Sequence, residues 1–229
     1  HLCICHATDV RWLSNAPGGR RIARRIASGA TSMWFLGASH RDDFFRTAAL
    51  DSDAVVSHVG PMPIEIPNAP AQTRSELRRK LGIDGFTLLF LGRLVPVKGV
   101  DQLLRAAAAC DSRVHVRIAG DGPEREELAA LASELGVDAT FEGWVRGDRK
   151  EALLQACDAL VVPSRAADGL PTVIFEARSR SLPIIATRAG AIADHIRPSS
   201  RHRLVPPHAP DALGRAIDEL VARHTELTV

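Results

Sequence analysis

The chain has 229 residues, 45% hydrophobic and 24% charged, with 29 Lys and Arg against 27 Asp and Glu and a formal net charge of +2. That near balance excludes the basic excess of proteins that live on nucleic-acid phosphates, and the composition is that of a globular chain with room for one or two cores. The longest apolar runs, residues 87–91, 159–162 and 182–186, are strand-length and far short of the roughly 20 residues that a membrane-spanning helix needs. Cys3, Cys5, Cys110 and Cys157 show no CxxC spacing, which argues against a zinc knuckle or a disulfide framework and for a reducing, cytoplasmic setting.

The chain opens His1-Leu2-Cys3 with no Met, charged n-region or apolar signal core, and reads as a stretch that starts inside a fold. Residues 2–5, 32–36 and 54–57 have strand character, and a basic helix is expected around residues 19–27. So few strands cannot make an open sheet with two covered faces, so residues 1–66 are expected to be the second half of an α/β domain. His1, Cys3, Cys5 and His6 are metal-ligand types, yet the alternation Leu2-Cys3-Ile4-Cys5 is better explained by a buried strand, and no metal is expected. Arg20, Arg21, Arg24 and Arg25 beside Ile22 and Ile26 could lie on an anionic membrane, but the pattern is better explained by an ordinary solvated helix. Pro61, Pro63, Pro67 and Pro70 then remove backbone donors and fix φ, which predicts an extended connector over residues 67–74.

From residue 86 a single unit recurs: a short apolar run, a Gly, Pro or Asp turn, and apolar residues at helical spacing. Strands are expected at 86–91, 114–119, 139–142, 159–162, 183–186 and 203–205, with helices at 100–110, 123–135, 149–157, 172–180 and 210–223. The fold class is α/β, and residues 75–229 should form a doubly wound parallel sheet, which binds ligands at the carboxyl ends of its strands. The turns after strands are therefore where chemistry is to be sought.

Two turns stand out. In Gly92-Arg93-Leu94-Val95-Pro96-Val97-Lys98-Gly99, two fixed positive charges bracket a helix start, where backbone N–H groups already favour an anion such as a diphosphate. The spacing matches neither the GxxxxGK[ST] nor the GxGxxG loop, and two surface charges flanking a loop are an equally good account. In the second turn, Asp168-Gly169-Leu170-Pro171-Thr172, Gly169 permits close backbone approach and Pro171 suits a first helical residue. Glu176, further into that helix, can reach the same space, where a carboxylate accepts two hydrogen bonds from a vicinal diol such as a ribose. A capping acid and a helix-surface Glu would have the same spacing.

Taken in order, Gly-Arg-Leu-x-Pro-x-Lys-Gly, Ile118-Ala119-Gly120-Asp121-Gly122-Pro123, Phe141-Glu142-Gly143-Trp144-Val145, the Pro163-Ser164 turn, Asp168-Gly169-Leu170-Pro171 through Glu176-Ala177, and Leu182-Pro183-Ile184-Ile185-Ala186-Thr187 resemble the family-four retaining glycosyltransferases of the GT-B fold. The resemblance runs from about Pro61 to the C-terminus. It implies a doubly wound C-terminal domain that binds a nucleotide-diphosphate sugar, with a hexose moved to an acceptor hydroxyl. Arg93 and Lys98, with the Gly92 turn, would hold the diphosphate, Glu176 the ribose, and Asp168 with Gly169, Leu170, Pro171 and Thr172 the donor sugar. Val145 would lie along the base, and His6 near the reacting sugar. By the same resemblance Arg93, Lys98 and Asp168 are the catalytic candidates, and no metal or other cofactor is implied.

Two departures are visible. Asp168 stands where the family usually has Glu, which shortens its reach, and Pro63 replaces a hinge-preceding glycine in Pro61-Met62-Pro63-Ile64-Glu65. The family's glycine-rich loop and the first part of its N-terminal domain have no counterpart here, so this stretch alone is expected to bind donor without transferring sugar. A non-catalytic nucleotide-sugar-binding half-module is the alternative. An epimerase-like or phosphorylase-like reading is weaker, because the latter needs a Schiff-base lysine and neither Lys80, Lys98 nor Lys150 sits in a context that suggests one.

Overall fold

The computed structural model describes residues 1–61, 68–165, 170–199 and 201–228. In chain order its elements begin with β1 (Leu2–Cys5), α1 (Ala7–Asn15), α2 (Gly19–Gly29), β2 (Ser32–Phe35), α3 (Ala38–Ala48) and β3 (Val56–Val59). They continue with α4 (Arg74–Leu81), β4 (Thr87–Leu91), α5 (Val100–Ala109), β5 (His115–Ala119), α6 (Arg125–Glu134), β6 (Ala139–Gly143) and α7 (Gly147–Ala156). The rest are β7 (Ala159–Val162), α8 (Val173–Ser179), β8 (Ile184–Thr187), α9 (Ile192–His195), β9 (His202–Val205) and α10 (Pro210–Thr228). By internal contacts the chain forms two compact units, the first comprising the described residues of 1–64, 166–171 and 189–197 and the second the remainder. This division is discontinuous, whereas the sequence reading is of three successive segments. The hinge-like residues Met62, Pro63, Ile64 and Glu65, with Pro67, lie outside the described residues, as do Asp168 and Gly169.

The second unit is built on a six-stranded parallel sheet in the order β6-β5-β4-β7-β8-β9. Its central strands read Thr-Leu-Leu-Phe-Leu, Ala-Leu-Val-Val and Ile-Ile-Ala-Thr, unbroken apolar runs because both faces are covered. One face, with Leu88, Val116, Ile118, Val161 and Ile185, packs against Leu103 and Leu104 of α5 and Leu213, Ile217 and Leu220 of α10. Leu89, Leu160 and Ile184 alternate with that set and are also fully buried.

Helix α4 opens on a reciprocal cap: the Thr73 N–H donates to Glu76 Oε2 at 2.8 Å while the Glu76 N–H donates to Thr73 Oγ1 at 3.3 Å. It closes on Gly82 at φ +63°. The sequence reading ran the connector through this cap and did not anticipate the helix. Two of its arginines, Arg74 and Arg78, converge on Asp158, whose side chain is 1% exposed. Asp158 also accepts the Thr87 N–H at 2.8 Å, so one carboxylate joins α4 to the starts of β4 and β7.

The first unit holds a three-stranded parallel sheet, β1-β2-β3. Cys5, Met33 and Phe35 point to one face and pack with Val10, Leu13, Ala23, Ala27, Phe44 and Phe45 from α1, α2 and α3. The opposite face presents Leu2, Ile4 and Val56, all exposed among the described residues. The strand expected at 54–57 starts instead at Val56, because the Asp51 carbonyl takes the Ala54 N–H at 3.0 Å and spends those residues on a turn. Helices α1, α3 and α9 were not anticipated either. Helix α3 starts at Gly37 without a side-chain cap of its own, and Asp194 of α9 supplies one, accepting from the Ser39 N–H at 3.3 Å and Oγ at 3.2 Å. Gly37 is required there, since a Cβ would meet Ala191 Cβ and Asp194 Oδ2 at 2.5 Å.

Candidate functional site

In the second unit, the chain leaves β4 toward β5 and β6 and leaves β7 toward β8 and β9, so the strand order reverses between β4 and β7. Outside the carboxyl ends of two such strands the connections diverge and leave a crevice. The turn after β4 runs through Gly92, Arg93, Leu94 and Val95 into a tight helical turn, Pro96–Lys98, and ends on Gly99 at φ +66°. Gly99 caps α5 without a side-chain acceptor. A Cβ on Gly99 would run into the Pro163 carbonyl, so glycine is what lets the turns after β4 and β7 lie against each other. The Arg165 N–H donates to the Val97 carbonyl at 2.8 Å, and the Arg165 guanidinium pairs with Asp101 in the first turn of α5.

The turns after β5 and β6 stack on the same end. The Gly92 N–H donates to Ala119 at 3.0 Å, Leu94 N–H to Asp121 at 2.8 Å, and Gly120 N–H to Gly143 at 2.8 Å. These bonds hold the backbone on which Arg93, Lys98 and Val145 are carried. Arg93 is exposed and makes no side-chain hydrogen bond or ion pair among the described residues. Lys98 and Val145 are half-buried, and Trp144 beside Val145 is 69% exposed.

Glu176 lies in the first turn of α8 with its side chain 13% exposed, and its Oε1 is 3.1 Å from Lys150 Nζ on α7. Sequence reasoning considered Lys150 only as a Schiff-base candidate and missed this pair. Nothing in the local spacing signals it, because the two residues come from different helices. Thr172, exposed, is the residue before α8, so Pro171 precedes the cap and is not the first helical residue. Thr172 contributes its carbonyl, which accepts the Phe175 and Glu176 N–H groups at 2.9 and 3.3 Å.

In the first unit, His6 stands at the carboxyl end of β1 as the cap residue of α1, and its backbone N–H donates to Asp9 at 3.0 Å. Leu170, buried, and Pro171, half-buried, group with that unit. Cys3 and Cys5 share the sheet face that meets the helices, their Sγ atoms 3.9 Å apart, and burial pushes the Cys5 thiol up to about 12. No group of three His, Cys, Asp or Glu side chains suited to a metal ion occurs among the described residues.

The parallel sheet reverses its strand order beside a basic turn and a helix start, an arrangement with a crevice suited to an anionic ligand. The sequence profile of the family described as Glycosyl transferases group 1 matches residues 85–223, and the chain belongs to that family.

Among its relatives is a GDP-mannose-dependent alpha-(1-6)-phosphatidylinositol monomannoside mannosyltransferase of Mycolicibacterium smegmatis. It is 29% identical over 230 residues, covering 95% of this chain and 59% of that protein. A D-inositol 3-phosphate glycosyltransferase of Acidothermus cellulolyticus is 36% identical over 162 residues, 62% of this chain and 36% of the relative. The chain thus spans less than two thirds of the length of either. Among solved structures, Anabaena Alr3699/HepE in complex with UDP and glucose superposes with a TM-score of 0.83 at 22% identity, covering 98% of this chain and 63% of that one. Sucrose-phosphate synthase from Thermosynechococcus elongatus superposes at 0.79 and 21% identity, covering 96% and 58%. The fold is the parallel-sheet α/β arrangement of GT-B glycosyltransferases.

Proposed function

We propose that this chain carries the donor site of a retaining glycosyltransferase, which moves a hexose from a nucleotide-diphosphate sugar to an acceptor hydroxyl. The observation that carries the reading is the family match over residues 85–223, which spans the reversal point of the sheet and the basic turn beside it. Arg93 and Lys98 neutralise the negative charge that grows on the leaving diphosphate, together with the amides at the start of α5, in place of a metal ion. Glu176 accepts the ribose hydroxyls, Val145 with Gly143 lies along the base, and Asp168 with the Gly169 to Thr172 backbone reads the donor sugar. His6 is assigned to the reacting sugar by the family resemblance alone. No side chain is assigned as nucleophile: a phosphate oxygen of the leaving group takes the acceptor proton on the face from which it departs, which yields retention. The reading is supported by the names of the relatives given above, a GDP-mannose-dependent mannosyltransferase and a D-inositol 3-phosphate glycosyltransferase.

The acceptor is a glycan, lipid or small molecule, and the setting is cytoplasmic. For a lipid acceptor, α2 is the part that meets the inner face of an anionic membrane: Arg20, Arg21 and Arg25 are exposed beside Ile22, whereas Arg24 is engaged with the Ala48 and Ala49 carbonyls. No described helix is long and apolar enough to cross a membrane.

Calorimetry with UDP, GDP and pyrophosphate tests the donor site without requiring turnover. Arg93→Ala or Lys98→Ala should each weaken nucleoside-diphosphate binding by about 1.5 to 3 kcal/mol, the range of charge-assisted hydrogen bonds. Glu176→Gln should weaken UDP or GDP and leave pyrophosphate nearly unchanged. Unchanged affinity in both cation variants would overturn the assignment.

A further inference from the structure

We infer that Lys150 is the positioning residue of the ribose carboxylate, fixing Glu176 in the orientation from which it accepts the diol; this rests on the reading of Glu176 given above. The two side chains come from neighbouring helices, Lys150 from α7 and Glu176 from α8, and meet at 3.1 Å with 23% and 13% of their side-chain surface exposed. Lys150 engages only Oε1. The other oxygen, Oε2, has no hydrogen bond among the described residues, so a carboxylate with about four lone-pair sites keeps most of them for a ligand.

Lys150 is itself anchored from behind. Its Nζ is 3.9 Å from Oε1 of Glu151, a carboxylate only 5% exposed whose Oε2 accepts from Arg180 at 2.8 Å. Glu176 of α8 and Arg180, the residue that caps its C-terminal end, meet the adjacent pair Lys150 and Glu151 on α7, giving the charge order minus, plus, minus, plus. Among the described residues Glu151 Oε1 has no hydrogen-bond partner, and the Lys150 ammonium at 3.9 Å compensates it on that side. An ammonium held between two carboxylates cannot swing freely. A freely rotating Glu176 would pay rotamer entropy on meeting a diol, and one already held by Lys150 loses less.

The test is a double-mutant cycle on the 229-residue chain, read by calorimetry with UDP and GDP, their 2′,3′-dideoxy forms, and pyrophosphate. Lys150→Met keeps the aliphatic stem and the Glu151 to Arg180 pair, and Lys150→Gln replaces it if Lys150→Met lowers the melting temperature. Lys150→Met should weaken the ribonucleotide about tenfold, leave the dideoxynucleotide and pyrophosphate within about twofold, and have no further effect in the Glu176→Gln background. Lys150→Arg should restore most of the loss. Equal losses on all three ligands, or additive losses in the double variant, overturn the inference and make Lys150 a direct ligand contact or a packing residue. Wild-type chain that does not distinguish ribo from dideoxy forms overturns the ribose reading of Glu176 and the inference with it. Ribose discrimination that survives Lys150→Met overturns the inference alone.

Discussion

The two units use the same strand–helix alphabet to different degrees of closure. In the second, β4, β7 and β8 are buried along their whole lengths or nearly so. In the first, β1 and β2 alternate, with Cys5, Met33 and Phe35 inward and Leu2 58% and Ile4 38% exposed on the other face. The difference lies in burial and not in apolar content: β1 reads Leu-Cys-Ile-Cys, as continuous an apolar run as β7, yet among the described residues only its Cys face is covered. The doubly covered unit is the one whose strand ends carry the candidate donor site, and it can afford the buried ionic junction at Asp158.

That contrast can be broken at its strongest point. Asp158→Ala leaves Arg74 and Arg78 without their shared carboxylate, and Thr87 without its acceptor, next to the central strands. Loss of one partner of a buried charge cluster costs about 3 to 5 kcal/mol, and with the Arg74 side chain 44% exposed to water the lower end, about 3 kcal/mol, applies. Denaturant unfolding should show that loss; a change within experimental scatter would mean that water satisfies the arginines and that the junction is not needed for closure.

A paired substitution sharpens the comparison. Leu88, fully buried in β4, should cost about 2 to 5 kcal/mol on truncation to Ala, while Leu2→Ala on the uncovered face of β1 should stay within about 0.5 kcal/mol. Comparable losses at both positions would show that Leu2 is covered in solution.

The smallest effect is in pH. His40 of α3 is 3% exposed with both ring nitrogens unpartnered among the described residues, and burial lowers its pKa, with Asp194 and Asp43 opposing and His195 reinforcing the shift. A histidine whose folded pKa is depressed takes up its proton more readily in the unfolded chain. Stability is therefore intact above the unfolded value of about 6.5 and falls as the pH drops below it. His202 in the second unit is lowered by burial and by Arg178 and Arg201, and contributes in the same direction. His40→Phe should flatten the acid dependence of the melting temperature partly, leaving the His202 share; an unaltered slope would assign the dependence to carboxylates instead.

Much of the second unit was legible because its signals are local. The strand at Ala159–Val162 agrees with the sequence reading at both ends, and the helix expected at 100–110 runs Val100–Ala109, since unbroken apolar runs and glycine turns mark their own limits. Helix α4 was equally local, written in Thr73, Glu76 and Gly82, but the prolines before it drew the connector too far. Helices α1 and α3 were harder. The cap of α3 comes from Asp194, far away in sequence, and no spacing rule reaches that far.

The order of residues by itself determined the alternation of strands and helices, the apolar faces, and the turn that carries Arg93 and Lys98, because periodicity and turn chemistry act over a few neighbours. Only the tertiary structure decided that β4 lies beside β7, that Gly99 is required where their turns meet, and that Lys150 stands against Glu176. Those facts depend on which strands pair and which helix faces meet. Such choices are made by burial of the whole sheet and not by any stretch of chain within it.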